Sequence, residues 1–311
     1  MKYSIVFPGQ GSQSLGMLSD LNNNFSVVNE VFQEASDSIS VDLWQILNED
    51  QEALNLTENT QPIMLAAGYS TYKVLSEETN LSPVSMAGHS LGEYTALVAS
   101  NSINFFDAIG LVRKRGELMQ SAVPSGTGSM AAILGLEDAI IIEICHKASN
   151  KGVVEAVNFN SPGQVVIAGE KNAVAHACEL LKEVGAKRSL ILPVSVPSHC
   201  SLMKEAAAKF KTFIESVDFK TSNAKVIHNV DADYAGDTDA IKTKLVEQLY
   251  MPVLWTDSVI KMKDSGVERL IEVGPGKVLT GLTRRIDKSL SASAIIDVSS
   301  LKSTIEEISN A

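Results

Sequence analysis

A serine set between glycines, Gly88-His89-Ser90-Leu91-Gly92, is where residue types and spacing in this 311-residue chain first point to chemistry. A short β-rich run, Val84 to Ala87, precedes it and an apolar helical run, Glu93 to Ala99, follows. A serine at such a sharp strand-to-helix turn takes a strained backbone, and flanking glycines relieve the crowding so that its hydroxyl stands exposed at a helix N-terminus. The next amide, that of Leu91, then points at any oxyanion formed there. The functional reading is a nucleophile, and the bland one a structural turn.

A serine hydroxyl is a weak nucleophile without a base, and the chain holds only five histidines. His146 and His176 fall on two helices where solvated or packed rings are the ordinary outcome, and His228 ends a strand. His89 neighbours the serine, but adjacent side chains diverge around such a turn. His199 follows Val194-Ser195-Val196-Pro197-Ser198, where one strand ends and a new helix starts, the kind of junction at which α/β folds gather their sites. It is the candidate base, set against the usual fate of a lone histidine as a satisfied structural group.

Arg115 stands in the wrong place for a surface residue. Stepping about 100° per residue along Phe106 to Ala122 puts Ala108, Leu111, Val112, Leu118, Met119 and Ala122 within about 60° of it. Arg113 and Glu117 lie on the opposite, solvated face as an i,i+4 pair. An inward arginine keeps its charge, so it demands a carboxylate, a phosphate or several carbonyls. Either an internal salt bridge or a bidentate clamp for an acidic ligand satisfies that demand. Two glycine-rich loops remain. Pro8-Gly9-Gln10-Gly11-Ser12-Gln13 has Ser14 where a dinucleotide fingerprint needs glycine, and reads as a loop delivering backbone amides near a strand end. Gly274-Pro275-Gly276 lacks phosphate-loop spacing and reads as a tight turn.

The elements that must position these groups alternate between strand and helix. Tyr3 to Phe7 is a strand closed by Pro-Gly, and helical periodicity fills Gln61 to Leu75. From Met130 the pattern gives strand Met130–Leu136, helix Glu137–Ser149, strand Val153–Phe159, a turn at Asn160-Ser161-Pro162-Gly163, strand Gln164–Ala168, helix Asn172–Val184 and strand Arg188–Ser195. That βαββαβ string is a ferredoxin-like unit. Helix Ser201–Ser216, strand Lys225–Asn229, helices Ile241–Tyr250 and Asp257–Ser265, strand Arg269–Val273 and helix Lys277–Ile286 follow. The expectation is an α/β protein whose larger domain, residues 1–127 and 198–311, is built from both ends of the chain around an inserted subdomain, 128–197.

Composition narrows the classes of function. The chain is 45% apolar and 20% charged, which fits an ordinary globular protein. With 26 Lys and Arg against 37 Asp and Glu, its net charge of −11 opposes nucleic-acid binding. Three cysteines show no metal spacing and no even count for a disulfide framework, so a reducing cytoplasm is expected. Neither a signal-peptide core nor a membrane span is legible, and no metal site is expected.

Taken in order, Pro8 to Gln13, Gly-His-Ser-Leu-Gly-Glu at 88–93, Arg115, Ser195-Val196-Pro197-Ser198-His199 and Glu272-Val273-Gly274-Pro275-Gly276 closely resemble malonyl-CoA:acyl carrier protein transacylases of type II fatty acid synthesis. The likeness spans nearly the whole chain. It implies a large α/β hydrolase-like domain with a parallel sheet, carrying an inserted ferredoxin-like subdomain. It implies that Ser90 attacks the malonyl thioester, that His199 carries the proton, that the amides of Gln10 and Leu91 form the oxyanion hole and that Arg115 pairs with the malonyl carboxylate. The carbonyl that orients the histidine would be that of Gln248, where Pro252 discourages further helix and leaves late carbonyls free. Malonyl-CoA and an acyl carrier protein are the implied partners of a monomer, with no cofactor beyond the coenzyme A thioester as substrate. The carrier's docking face is expected to be locally basic, from Lys182, Lys187 and Arg188 or from Lys277, Arg284 and Arg285. A serine thioesterase, a polyketide-pathway acyltransferase with a related extender unit and a non-enzymatic carrier-binding relative are the competing readings.

Overall fold

The alternation in sequence resolves into two separate sheets in the computed structural model, which describes residues 2–309 except Ser195 and Asn223. The first sheet joins β1 (Tyr3–Phe7), β2 (Met86–Gly88), β7 (Val226–Ile227), β8 (Arg269–Val273) and β9 (Ser291–Ile295) in the order β7-β2-β1-β8-β9. Every pairing in it is parallel. A parallel sheet must be covered on both faces, and Tyr-Ser-Ile-Val-Phe of β1 is accordingly buried at all five positions. The helices Thr57–Glu78, Gly92–Ala99 and Phe105–Gln120 supply part of that cover.

The second sheet holds β3 (Gly128–Leu134), β4 (Val154–Ser161), β5 (Gln164–Glu170) and β6 (Arg188–Ile191) in the order β4-β5-β3-β6, all antiparallel. The Asp138–Ala148 and Lys171–Glu183 helices pack on it through a core of its own that includes Ile133, Ile141, Val165, Ile167, Val174 and Leu181. The sheets meet where β4 touches the chain after the Thr238–Glu247 helix: the Phe159 amide donates to the Val253 carbonyl at 3.0 Å and the Val253 amide to the Val157 carbonyl at 2.8 Å. Among the described residues no helix is long and apolar enough to cross a membrane.

The expected elements recur with shifted ends. The strand expected over Arg188–Ser195 stops at Ile191; Pro193 has no N–H for a ladder, and Ser195 lies outside the described residues. The strand expected over Lys225–Asn229 is only Val226–Ile227, because His228 and Asn229 leave the sheet to serve the site. The helix expected over Ile241–Tyr250 runs Thr238–Glu247, starting where the Asp237 carboxylate accepts from the Ala240 amide at 2.8 Å. The edge strand β9 carries too weak a pattern in Ser-Ala-Ser-Ala-Ile to be read in advance, and the final Val298–Ser309 helix, amphipathic through Leu301, Ile305 and Ile308, lies beyond the last expected element.

Candidate active site

The turn between β2 and the Gly92–Ala99 helix is a sharp elbow with Ser90 at φ +51°, a left-handed backbone rare for a non-glycine residue. Its flanking glycines are there for space. A Cβ on Gly88 would lie 1.8 Å from the Gly92 carbonyl carbon, and one on Gly92 would lie 2.1 Å from the Phe7 carbonyl oxygen. The strand, the turn and the first helical residue therefore cross closer than any side chain allows.

His199 also has a left-handed backbone, φ +65°, and is 3% exposed. Its Nδ1 donates to the Gln248 main-chain carbonyl at 2.7 Å, which leaves Nε2 as the acceptor facing the Ser90 hydroxyl at 2.8 Å. The two residues stand 109 positions apart in the chain. Burial, reinforced by the nearby Arg115 charge, pushes the His199 pKa down to about 3, while the Gln248 carbonyl opposes the shift. Burial thus favours the neutral imidazole, whose Nε2 lone pair faces the Ser90 hydroxyl.

Arg115 is 1% exposed and turned inward. Its guanidinium donates to Gln61 Oε1 at 2.8 Å and Gln248 Oε1 at 3.0 Å, reaches Ser90 Oγ at 3.4 Å and lies 5.4 Å from the centroid of the Tyr94 ring. Among the described residues no carboxylate comes within 4.0 Å of it, and its Nε has no partner. Burial lowers its pKa. Of the two expected outcomes for an inward arginine, the internal salt bridge is absent among the described residues. A cation coordinated only by neutral amides keeps capacity for an incoming anion.

Ser90, His199 and Arg115 open onto a cavity of about 390 Å³ between the turns that follow β1 and β2 and the strands of the second sheet. Gln10, Gly11 and Gln13 line it from the loop after β1, Met130 and Asn158 from the second sheet, and Leu192, Pro193 and Val194 from the segment after β6. The side chain of Gln10 is tethered to Thr57 Oγ1 at 3.3 Å. Among the described residues the Gln10 and Leu91 amides have no main-chain or side-chain acceptor, so both remain available at the cavity.

Among the described residues no other histidine bonds the Ser90 hydroxyl. His89 lines the same cavity, but its Nε2 contacts Asn160 Oδ1 at 2.8 Å, beside Trp255. His146 is exposed on its helix, and His176 lies 3.8 Å from Glu179. Gly274 and Gly276 take positive φ at the expected turn, where the Glu272 carboxylate accepts from the Leu279 and Thr280 amides at 3.1 and 2.7 Å. Sequence reasoning missed Gln61, Glu93 and Asn229. Glu93 alone left a trace, as a carboxylate heading an otherwise apolar helix; it is fully buried, accepting from His228 Nδ1 at 2.8 Å, the Asn229 amide at 2.9 Å and Gln248 Nε2 at 2.8 Å.

One cavity thus brings together a serine in a left-handed turn, an imidazole against its hydroxyl, two amides without acceptors and a buried arginine with no carboxylate within 4.0 Å among the described residues. The acyl transferase domain family matches residues 4–304, and the chain belongs to that family. Within it, the chain is 51% identical to the malonyl CoA-acyl carrier protein transacylase of Escherichia coli (strain K12), over 98% of this chain and 99% of that protein. A solved acyl carrier protein S-malonyltransferase from Vibrio cholerae superposes with a TM-score of 0.93 at 52% identity, covering 98% of this chain and 100% of the other. A malonyl-transacylase solved in complex with its type II PKS acyl-carrier protein superposes with a TM-score of 0.97 at 50% identity, covering 99% and 100%. The chain is therefore a member of the malonyl CoA-acyl carrier protein transacylase group.

Proposed function

We propose that this chain moves a malonyl group from coenzyme A to the phosphopantetheine thiol of an acyl carrier protein, in fatty acid biosynthesis, through a malonyl ester on Ser90. The observation that carries the reading is the 2.8 Å contact between Ser90 Oγ and His199 Nε2 beside a buried arginine that has no carboxylate partner among the described residues. Ser90 Oγ bonds to the thioester carbonyl carbon as its proton passes to His199 Nε2. The carbonyl oxygen becomes an oxyanion facing the amides of Gln10 and Leu91. Collapse breaks the carbon–sulfur bond, and the departing sulfur takes the proton from Nε2 to leave as free coenzyme A. The carrier's thiol then gives its proton to Nε2, attacks the Ser90 ester and restores the hydroxyl by the same steps in reverse, so the kinetics are ping-pong.

Gln248 orients the base through its carbonyl, and Arg115 holds the malonyl carboxylate. A neutral thioester would leave that guanidinium desolvated and unpaired, which sets the preference for a carboxylated acyl group. The inward arginine also disfavours the thioesterase reading, since a hydrolase of neutral esters has no use for it. The organisation that fits this activity is a hydrolase-like large domain, residues 1–127 and 198–311, with a ferredoxin-like subdomain, 128–197, closing over the cavity. Its parallel sheet with the serine at a strand end and the β4-β5-β3-β6 order of the smaller sheet support that description. The enzyme would work as a cytoplasmic monomer with no cofactor, docking the carrier through a locally basic face.

A second reading concerns the recipient alone. One neighbour at 50% identity is paired with a type II PKS carrier, so a polyketide-pathway carrier fits the same chemistry. Brief mixing with malonyl-CoA should add about 86 Da to the protein at Ser90, the mass of a malonyl ester. Absence of the adduct overturns the reading, and parallel transfer assays with the two carrier types separate the recipients.

A further inference from the structure

Behind the elbow lies a buried polar cluster that the steps above do not use. Asn229 is fully buried where the chain leaves β7, and its side chain spans both ends of the serine turn. Its Oδ1 accepts from the Ser90 amide at 2.7 Å, and its Nδ2 donates to the Gly88 carbonyl at 2.7 Å. The orientation of the amide is forced: the reverse would set oxygen against the Gly88 carbonyl and N–H against the Ser90 amide. Glu93 accepts from the Asn229 main-chain amide at 2.9 Å and is itself held by His228.

We propose that Asn229, fastened by the Glu93–His228 pair, is a positioning residue that clamps Ser90 in its left-handed backbone and so fixes the hydroxyl on His199. A non-glycine residue in this conformation persists only where its surroundings over-determine it. The Ser90 amide points away from the cavity into a buried region, so the Asn229 oxygen is both its required acceptor and the restraint on the turn. The same carboxylate oxygen of Glu93 accepts from Gln248 Nε2 at 2.8 Å, and that side chain also donates to the Ser90 carbonyl at 3.0 Å. One buried carboxylate therefore sets the registration of the residue that restrains the serine and of the residue whose carbonyl restrains the histidine.

The inference rests on Ser90 being the acylated residue. Its test follows Ser90 acylation by malonyl-CoA in the full chain, using rapid mixing and intact-protein mass, with the folded fraction taken from circular dichroism. Asn229→Ala should slow acylation per folded site about 100-fold, the cost of displacing a reacting atom by roughly 1 Å. Its KM for malonyl-CoA and its preference for malonyl over neutral acyl groups should stay within about twofold, because Arg115 is untouched. Asn229→Asp keeps the acceptor for Ser90 but opposes the Gly88 carbonyl, and should fall between the two. A purely structural role would lower melting temperature and leave the rate per folded site unchanged, and that result overturns the proposal. Should Asn229→Ala fail to fold, Glu93→Gln leaves Asn229 in place and is expected to slow acylation about tenfold; an unchanged rate is again fatal. Failure of the wild-type chain to form the adduct would instead overturn the proposed function.

Discussion

Arg113 and Arg115 stand two residues apart on one helix and differ in every physical respect. Arg113 sits part-buried at the helix surface and has two carboxylate partners, with its Nε 3.0 Å from Glu117 and an outer nitrogen 3.4 Å from Glu58, besides neutral acceptors on Asn59 and the Glu58 main chain. Arg115 faces inward, meets only the amide oxygens of Gln61 and Gln248 and a serine hydroxyl, and lies beside a cavity. Under the proposed function the same side chain is a surface fastener in one setting and a receptor in the other. What separates the two is whether a carboxylate of the described residues lies within ion-pair distance.

Erasing the inward member should have the largest effect. Arg115→Ala should lower kcat/KM for malonyl-CoA by about 100- to 1,000-fold, the cost of removing one partner of a buried charge pair, and shift preference toward acetyl-CoA in steady-state assays. An unchanged ratio of the two thioesters would refute the clamp. Making the inward arginine resemble its outer neighbour is the sharper test. Gln61→Glu places a carboxylate where Gln61 Oε1 now sits, 2.8 Å from the guanidinium, and should cut malonyl-CoA kcat/KM about tenfold or more by occupying the receptor.

The third expectation is a pH effect, because Arg115 and not Arg113 helps burial hold His199 near a pKa of about 3. Reaction of Ser90 with a neutral fluorophosphonate should stay level well below the ordinary imidazole pKa of about 6.5. In Arg115→Ala the acid limb should move to higher pH, since one of the three influences favouring neutral imidazole, burial, the Arg115 charge and His89, is gone. The sign for folding follows: the unfolded ring takes a proton below about 6.5 and the folded ring does not, so stability falls as pH drops from there toward 3. The smallest effect belongs to the outer arginine. Arg113→Ala should leave malonyl kinetics unchanged and cost about 1 kcal/mol or less in denaturant unfolding, as for partly exposed ion pairs.

Legibility in sequence followed the same inside–outside divide. Arg115 could be read because a cation interrupts an apolar stripe of helical period, and Ser90 because its glycines mark a crossing too tight for Cβ atoms. Both signals are local. Gln61, Asn229 and the side chain of Gln248 gave none, since a glutamine or asparagine has a special task only when folding brings a distant charge or strained amide against it. His199 lay between these cases: its strand-to-helix junction marked it out among five histidines, but its approach to Ser90 across 109 positions appears only as the 2.8 Å contact. The smaller sheet was legible because each strand is an apolar-rich run set off by a helix or, between β4 and β5, by a tight Pro-Gly turn, whereas β7 and β9 at the edges of the parallel sheet are short or built from small residues.

The acceptor that holds His199 in register is a peptide oxygen, 2.7 Å away. No codon change at position 248 deletes it, as a change at an aspartate would delete the third member of a triad. The imidazole's tautomer is thereby insured against point mutation at its own orienting partner, and loss of that restraint requires moving the backbone after the Thr238–Glu247 helix. Under the proposed function, inheritance can tune acyl choice through side chains such as Arg115 and Gln61 without touching the peptide oxygen that orients the imidazole.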